Sequence, residues 1–147
     1  MQPYIIIPPQ GSEQADEWMR LGLEAQSTGK LPQAEVHYRH ALRLDPSHAL
    51  VTQNLAVLYA QMLNLNEAIL TIERASLYDQ GKHGVIWMNW ALMCLEADRI
   101  DEALKAAQGG VDAAPCKETW LALAMILATA GRPSEAIQYY EKILKDD

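Results

Sequence analysis

Apolar residues recur at intervals of three and four along most of the chain. Trp18, Leu21 and Ala25 form one such stripe, and Leu55, Leu58 and Met62 form another, the spacing of a helix that buries one face. The strict alternation of a half-buried strand is almost absent. Punctuation falls at short, regular intervals: Ser27-Thr28-Gly29, Asp45-Pro46-Ser47, Asn64 to Asn66, Gly81 to Gly84, Asp98, Ala114-Pro115 and Gly131-Arg132-Pro133. Read as turns, these breaks predict eight helices of about 12 to 16 residues between residues 12 and 147. Pro32 and Pro133 stand at helix starts, where a missing N–H costs nothing, and Ser12, Asn66 and Ser134 are candidate N-caps.

The stripes also repeat. Trp18 to Ala34, Trp87 to Ala103 and Trp120 to Ala136 are each separated by 16 residues, and Thr52 to Ala68 keeps that spacing with Thr in place of Trp. Tyr38 and Tyr140 lie 102 residues apart, three times a period of about 34. These residues resemble the tetratricopeptide repeat family, whose pattern is W-x2-L-G-x2-Y, then A-x3-F, then P. Residues 15–48 match most fully, with Trp18, Leu21, Gly22, Ala34, Tyr38, Ala41 and Pro46 in register and Ala25 replacing the aromatic. The copy at 49–82 keeps Leu55, Tyr59, Ala68 and Ala75 but has Ala56 for Gly and Gln80 for Pro. The copy at about 84–116 keeps Trp87, Ala91, Ala103 and Pro115, and the copy at 117–147 keeps Trp120, Leu123, Ala124, Gly131, Ala136 and Tyr140.

The resemblance implies an all-α fold, a right-handed α-solenoid of four helix-turn-helix repeats over residues 12–147, with residues 1–11 as an extended N-terminal arm. Small residues at Gly22, Ala56, Ala91 and Ala124, and at Ala34, Ala68, Ala103 and Ala136, let the two helices of each repeat approach closely. Stacking of neighbours then buries faces that no single pair can bury alone. Two departures stand out. At "YDQGKHG" the register slips by one residue and two glycines replace the Asp-Pro stop, which predicts a looser junction. Gly109 and Gly110 fall inside a predicted helix, where each costs about 1 kcal/mol against Ala; Gly110 can serve close packing, whereas Gly109 has no compensation visible in the sequence.

Composition removes several classes of function. The apolar runs are too short to cross a bilayer, and "MQPYIIIPPQ" lacks the basic region of a signal peptide, so a cytoplasmic protein is expected. The formal charge of −7 and the scattering of 12 Lys and Arg argue against a nucleic acid partner. Cys94 and Cys116 form neither a disulfide framework nor a metal motif and read as plain thiols. His37, His40 and His48 read as solvated, and Asp98, Asp101 and Glu102 as helix-opening carboxylates. No catalytic residue, cofactor or metal site is expected, since no nucleophile lies near a base and no phosphate loop is present.

What remains is recognition. In the family, an extended peptide commonly lies along a concave face formed by the first helix of each repeat. The resemblance carries that role to Met19, Arg20 and Leu23; to Gln53, Asn54 and Val57; to Met88, Asn89 and Leu92; and to Leu121, Ala122 and Met125. Arg20 is the only cation among these, so a carboxylate clamp for an acidic terminus is not expected. Asn54 and Asn89 coincide with the asparagine ladder of some members, including repeat arms of protein O-glycosyltransferases, and equally read as solvated groove residues. Met19, Met88 and Met125 suit adaptable apolar contact or ordinary packing.

The segment "YIIIPP" reads as extended, because its prolines forbid helix. It can fold back on the first repeat, enter a neighbour's groove or stay disordered, disorder being the default for a terminus. At the other end the register would place the repeat's Pro at the residue after Asp147, so the expectation is a chain that continues and an open apolar edge at Tyr140, Ile143 and Leu144 that favours self-association. Three roles stay open: a module binding a protein or peptide in its groove, which the visible groove favours; the substrate-selecting arm of a longer enzyme such as a protein glycosyltransferase; and a small secretion chaperone.

Overall fold

The computed structural model describes residues 3–6 and 14–145. Every regular element among them is an α-helix: α1 (Gln14–Ser27), α2 (Leu31–Leu44), α3 (Ala49–Gln61), α4 (Leu65–Asp79), α5 (Gly84–Glu96), α6 (Ile100–Ala113), α7 (Lys117–Thr129) and α8 (Pro133–Lys145). The expected all-α fold of four helix-turn-helix repeats is therefore present. The helices belong to two compact units, Met1–Asp79 and Gln80–Asp147, and the division falls in the stretch where the sequence register slips. In the first unit α1 packs on α2, α3 packs on α4, and α3 also meets α1 and α2. In the second, α5 packs on α6 and α7 on α8, with α7 also against α5 and α6.

One turn is used four times. Gly29, Leu63, Asp98 and Gly131 each stand five residues before the recurrent Ala and each has a left-handed backbone, with φ of 80°, 61°, 60° and 79°. The residue after each one donates its N–H back across the helix end: Lys30 to Ala25 O, Asn64 to Tyr59 O, Arg99 to Cys94 O and Arg132 to Leu127 O, at 2.8 to 2.9 Å. This bond, with the shorter one from the left-handed residue itself, as from Leu63 to Ala60 O at 3.0 Å, satisfies the orphan carbonyls of the first helix. The backbone thus reproduces the period that the side chains showed. It also relocates two expected caps. Asn66 and Ser134 lie inside the first turns of α4 and α8, because Asn64 and Arg132 end the turn; Asn64 Oδ1 accepts from Glu67 N at 3.4 Å. Ser12 lies outside the described residues.

Helix pairs close on their small residues. Ala34, Ala68 and Ala103 are fully buried and Ala136 is nearly so. In the first repeat the ring of Tyr38 lies against Gly22, where a Cβ would strike it. Tyr38 is itself fully buried, and its hydroxyl donates to Gln26 Oε1 at 2.5 Å, while Gln26 Nε2 donates to Gln61 Oε1 at 2.6 Å. Burial pushes the Tyr38 phenol far above its ordinary pKa, so it stays a proton donor.

In the third repeat the arrangement is reversed, and it corrects the expectation for Gly109. A Cβ on Gly109 would come within 2.8 Å of Trp87 Cζ3, and one on Gly110 within 2.7 Å of Trp87 Cβ. Both glycines make room for the indole, which compensates the helix propensity they forfeit.

Candidate functional site

The residues assigned to peptide recognition lie on the first helices of the four repeats, α1, α3, α5 and α7, with Met19 and Leu23, Gln53 and Val57, Met88 and Leu92, and Leu121 and Met125 each paired one helical turn apart on a common face. Within the first unit α1 touches α3, and within the second α5 touches α7, so equivalent positions are brought side by side. Most of them are covered rather than open. Met19, Gln53, Asn54 and Val57 are fully buried, Arg20 is exposed near Glu17, and Leu23 is half-buried. In the second unit Asn89 is fully buried, Met88 and Leu92 are buried, Met125 is half-buried and Leu121 is exposed.

Part of that cover in the first unit comes from the segment ahead of α1. Residues 3–6 are extended, Tyr4 is only 8% exposed, and Gln53 Nε2 donates to the main-chain carbonyl of Ile5 at 3.2 Å. The expectation of disorder is overturned for these residues: a buried aromatic and a main-chain hydrogen bond hold them. The same Gln53 nitrogen donates to Asn54 Oδ1 at 2.8 Å. A primary amide has two hydrogens, and both are placed. Both amides belong to the face expected to read main chain; Gln53 holds the Ile5 carbonyl, and Asn54 lies beside it and accepts its second amide hydrogen. The available signal was the adjacency of two amides in a helix otherwise apolar from Leu55 to Ala60.

Three histidines expected to be solvated have defined partners. His48 caps α3, its Nδ1 accepting from Val51 N at 3.3 Å, while its Nε2 meets the buried carboxylate of Asp16 at 2.8 Å. His37 and His40 stack on Trp18 with ring centroids 5.7 and 4.5 Å away. Their helix positions explain this: the second helix turns that face toward the recurrent Trp. In the fourth repeat Lys142 occupies the position of His40 and places its ammonium 4.7 Å from the Trp120 ring centroid.

Two depressions occupy equivalent places in the units. One of about 200 Å³ lies among Arg39, Leu55, Tyr59, Glu67 and Tyr78, and one of about 280 Å³ among Leu104, Leu123, Leu127, Arg132 and Tyr139. In the first, Arg39 donates to Glu35 at 2.8 Å and to the Tyr59 hydroxyl at 2.6 Å, and the bond to Glu35 raises the already high pKa of the guanidinium. Its charge is spent on these partners. Among the described residues no cluster of three or more His, Cys, Asp or Glu is arranged to hold a metal, and no helix is long and apolar enough to cross a membrane. On α8, Tyr140 and Leu144 are exposed and Ile143 is half-buried.

No curated protein matches the sequence. Solved structures do match the fold. The chain superposes on MamA with a TM-score of 0.73 at 19% identity, covering 89% of this chain and 72% of that one. For Pseudomonas aeruginosa PilF the TM-score is 0.76 at 24% identity, over 89% of this chain and 60% of PilF. For YrrB, described as a TPR protein with an unusual peptide-binding site, it is 0.72 at 21% identity, over 91% of this chain and 69% of that one. Two family profiles, each described as tetratricopeptide repeat, match residues 25–85 and 89–147. With two profiles spanning most of the sequence, four helix pairs on one period and a turn repeated at one position in each, the chain belongs to the tetratricopeptide repeat family.

Proposed function

We propose that this protein captures an extended segment of a partner protein along its first-helix face, reading main chain through side-chain amides and packing apolar side chains around it. Membership in a family of protein-interaction repeats gives the coarse role. The finer reading is supported above all by one observation, the donation from Gln53 Nε2 to the Ile5 carbonyl beside a buried Tyr4. An extended chain is accommodated there, its main chain held by a side-chain amide. The residues proposed for this role are Met19, Arg20, Leu23, Gln53, Asn54 and Val57 on the face of the first unit and, each unit taken by itself, Met88, Asn89, Leu92, Leu121 and Met125 on that of the second. The reading requires no catalytic step and no cofactor, and a cytoplasmic setting goes with it.

Peptide display against the purified protein tests this. Selected peptides are expected to lose about 1 kcal/mol of affinity in calorimetry when Gln53 and Asn54 are both replaced by Ala, the worth of the one hydrogen bond that Gln53 makes to main chain. Unchanged affinity would remove amide reading from this face, and a steep loss with added salt would shift recognition to Arg20. A second contact is supported by the exposed side chains of Tyr140 and Leu144, which suit self-association through α8. A parent that sediments as a dimer and a Tyr140→Glu, Leu144→Lys variant that sediments as a monomer are the expected pair.

A further inference from the structure

The chemistry of the segment that suits the first unit is written in the segment seated there. Pro3-Tyr4-Ile5-Ile6 carries no charge. Its burial alternates as an extended chain requires: Pro3 exposed, Tyr4 buried at 8%, Ile5 exposed at 41%, Ile6 half-buried. The site holds the side chain of Tyr4 out of water and takes hold of the next residue by its carbonyl, with Ile5 itself 41% exposed. Gln53 does the holding at 3.2 Å, and Asn54 Oδ1, by accepting the other amide hydrogen at 2.8 Å, keeps the nitrogen side of Gln53 turned toward the segment. Both amides are fully buried with the segment in place. The requirements are therefore an aromatic residue, a carbonyl on the residue after it that can accept, and an apolar residue next, in a segment without charged side chains.

Resting on the peptide-capture reading above, we infer that the first unit takes from its partner an uncharged extended segment in which an aromatic residue is followed by aliphatic ones, and that the protein's own Tyr4–Ile6 occupies this site in cis until the partner displaces it. A tethered segment competes at an effective concentration in the millimolar range, so apparent affinity for an outside segment falls by the fraction of time the site is filled. The tether thereby sets a threshold that weak or mismatched segments do not pass.

The test uses the full chain and a fluorescein-labelled peptide, MQPYIIIPPQ, followed by anisotropy. The Tyr4→Asp protein, in which a charge replaces the buried ring, is expected to bind this peptide about tenfold more tightly than the parent does. Adding Gln53→Ala to that protein should weaken binding about fivefold, the worth of one hydrogen bond, and a peptide carrying the same Tyr4→Asp change should not bind. Equal binding by parent and Tyr4→Asp protein overturns the inference, as does indifference to Gln53→Ala. A Tyr4→Asp protein that ignores this peptide yet binds display-selected peptides through Gln53 and Asn54 overturns the inference while peptide capture stands; loss of both removes the two together.

Chymotrypsin supplies a readout independent of affinity. Cleavage after Tyr4 should be about tenfold slower in the parent than in the free peptide, in keeping with a docked state worth more than 1 kcal/mol, and Gln53→Glu, which cannot donate to the carbonyl, should bring the rate back up. Cleavage of the parent at the free-peptide rate overturns the docked arrangement. A concentration-dependent dimer that Tyr4→Asp abolishes would place the segment in a second copy and overturn the cis arrangement.

Discussion

The first and third repeats solve one packing problem in opposite ways. In the first, the small residue is on the leading helix and the large one on the following helix: Gly22 of α1 receives the ring of Tyr38 from α2. In the third, the equivalents of that pair are Ala91 and Ala107, both buried, and the close approach has moved to Trp87 of α5 against Gly109 and Gly110 of α6. The positions that meet the recurrent Trp change to suit. Trp18 is stacked by His37 and His40, whereas Ala106 and Gly109 stand at those places in the third repeat, and Lys142 at the second of them in the fourth. A repeat thus keeps one close approach between its helices and leaves open which helix supplies the bulk.

Substitutions can break that contrast, and the deepest should come from Tyr38→Ala. Removing a fully buried ring and its bond to Gln26 should cost about 4 kcal/mol in urea unfolding; a loss under about 1 kcal/mol would mean that Tyr38 does not close the first repeat. Gly110→Ala comes next. Its new Cβ would lie 2.7 Å from Trp87 Cβ and 3.1 Å from Thr119 Cγ2, atoms with little freedom to give. After the helix-propensity gain, a net cost of about 1–2 kcal/mol is expected. Gly109→Ala meets only the rim of the indole and should cost less, and in a Trp87→Leu background it should turn stabilising, which a double-mutant cycle reads directly.

The four turns sharpen the comparison on a smaller scale. Leu63 adopts the left-handed backbone that Gly29 and Gly131 adopt without strain, and its side chain is 85% exposed. Leu63→Gly should therefore stabilise by about 0.5–1 kcal/mol, the relief of strain exceeding the added chain entropy. Lys142→Ala should cost about 0.5 kcal/mol, the value of an exposed ammonium over an indole. Thermal melts that show no loss would leave the ammonium's place over Trp120 without energetic consequence.

The helical period, the Ala spacings and the turn positions were legible because each depends on sequence-local requirements: one face buried every three or four residues, one small contact, one left-handed residue. Pairings that depend on two distant choices were not. Gly109 looked uncompensated because its partner is 22 residues earlier on another helix, and His48 looked solvated because Asp16 meets it from the start of the preceding repeat. The seating of Tyr4 was hidden for the same reason, since Pro-rich lettering specifies an extended backbone and says nothing of the surface it lies on. Of the candidate face, the helix positions were readable from the resemblance, while the hold of Gln53 on the Ile5 carbonyl joins residues 48 apart and no local pattern announces it.

The reversed bulk has a consequence for how a chain of near-copies finds its own partners while folding. Tandem repeats of similar sequence invite a leading helix to pair with the wrong follower. Were α1 to close on α6, Gly22 would face Ala107 and the space filled by Tyr38 would be void; were α5 to close on α2, the Cβ of Ala91 would run into the Tyr38 ring. Each mismatch carries its own steric penalty, a void in one case and a clash in the other, and each disfavours the wrong closure relative to the native pair.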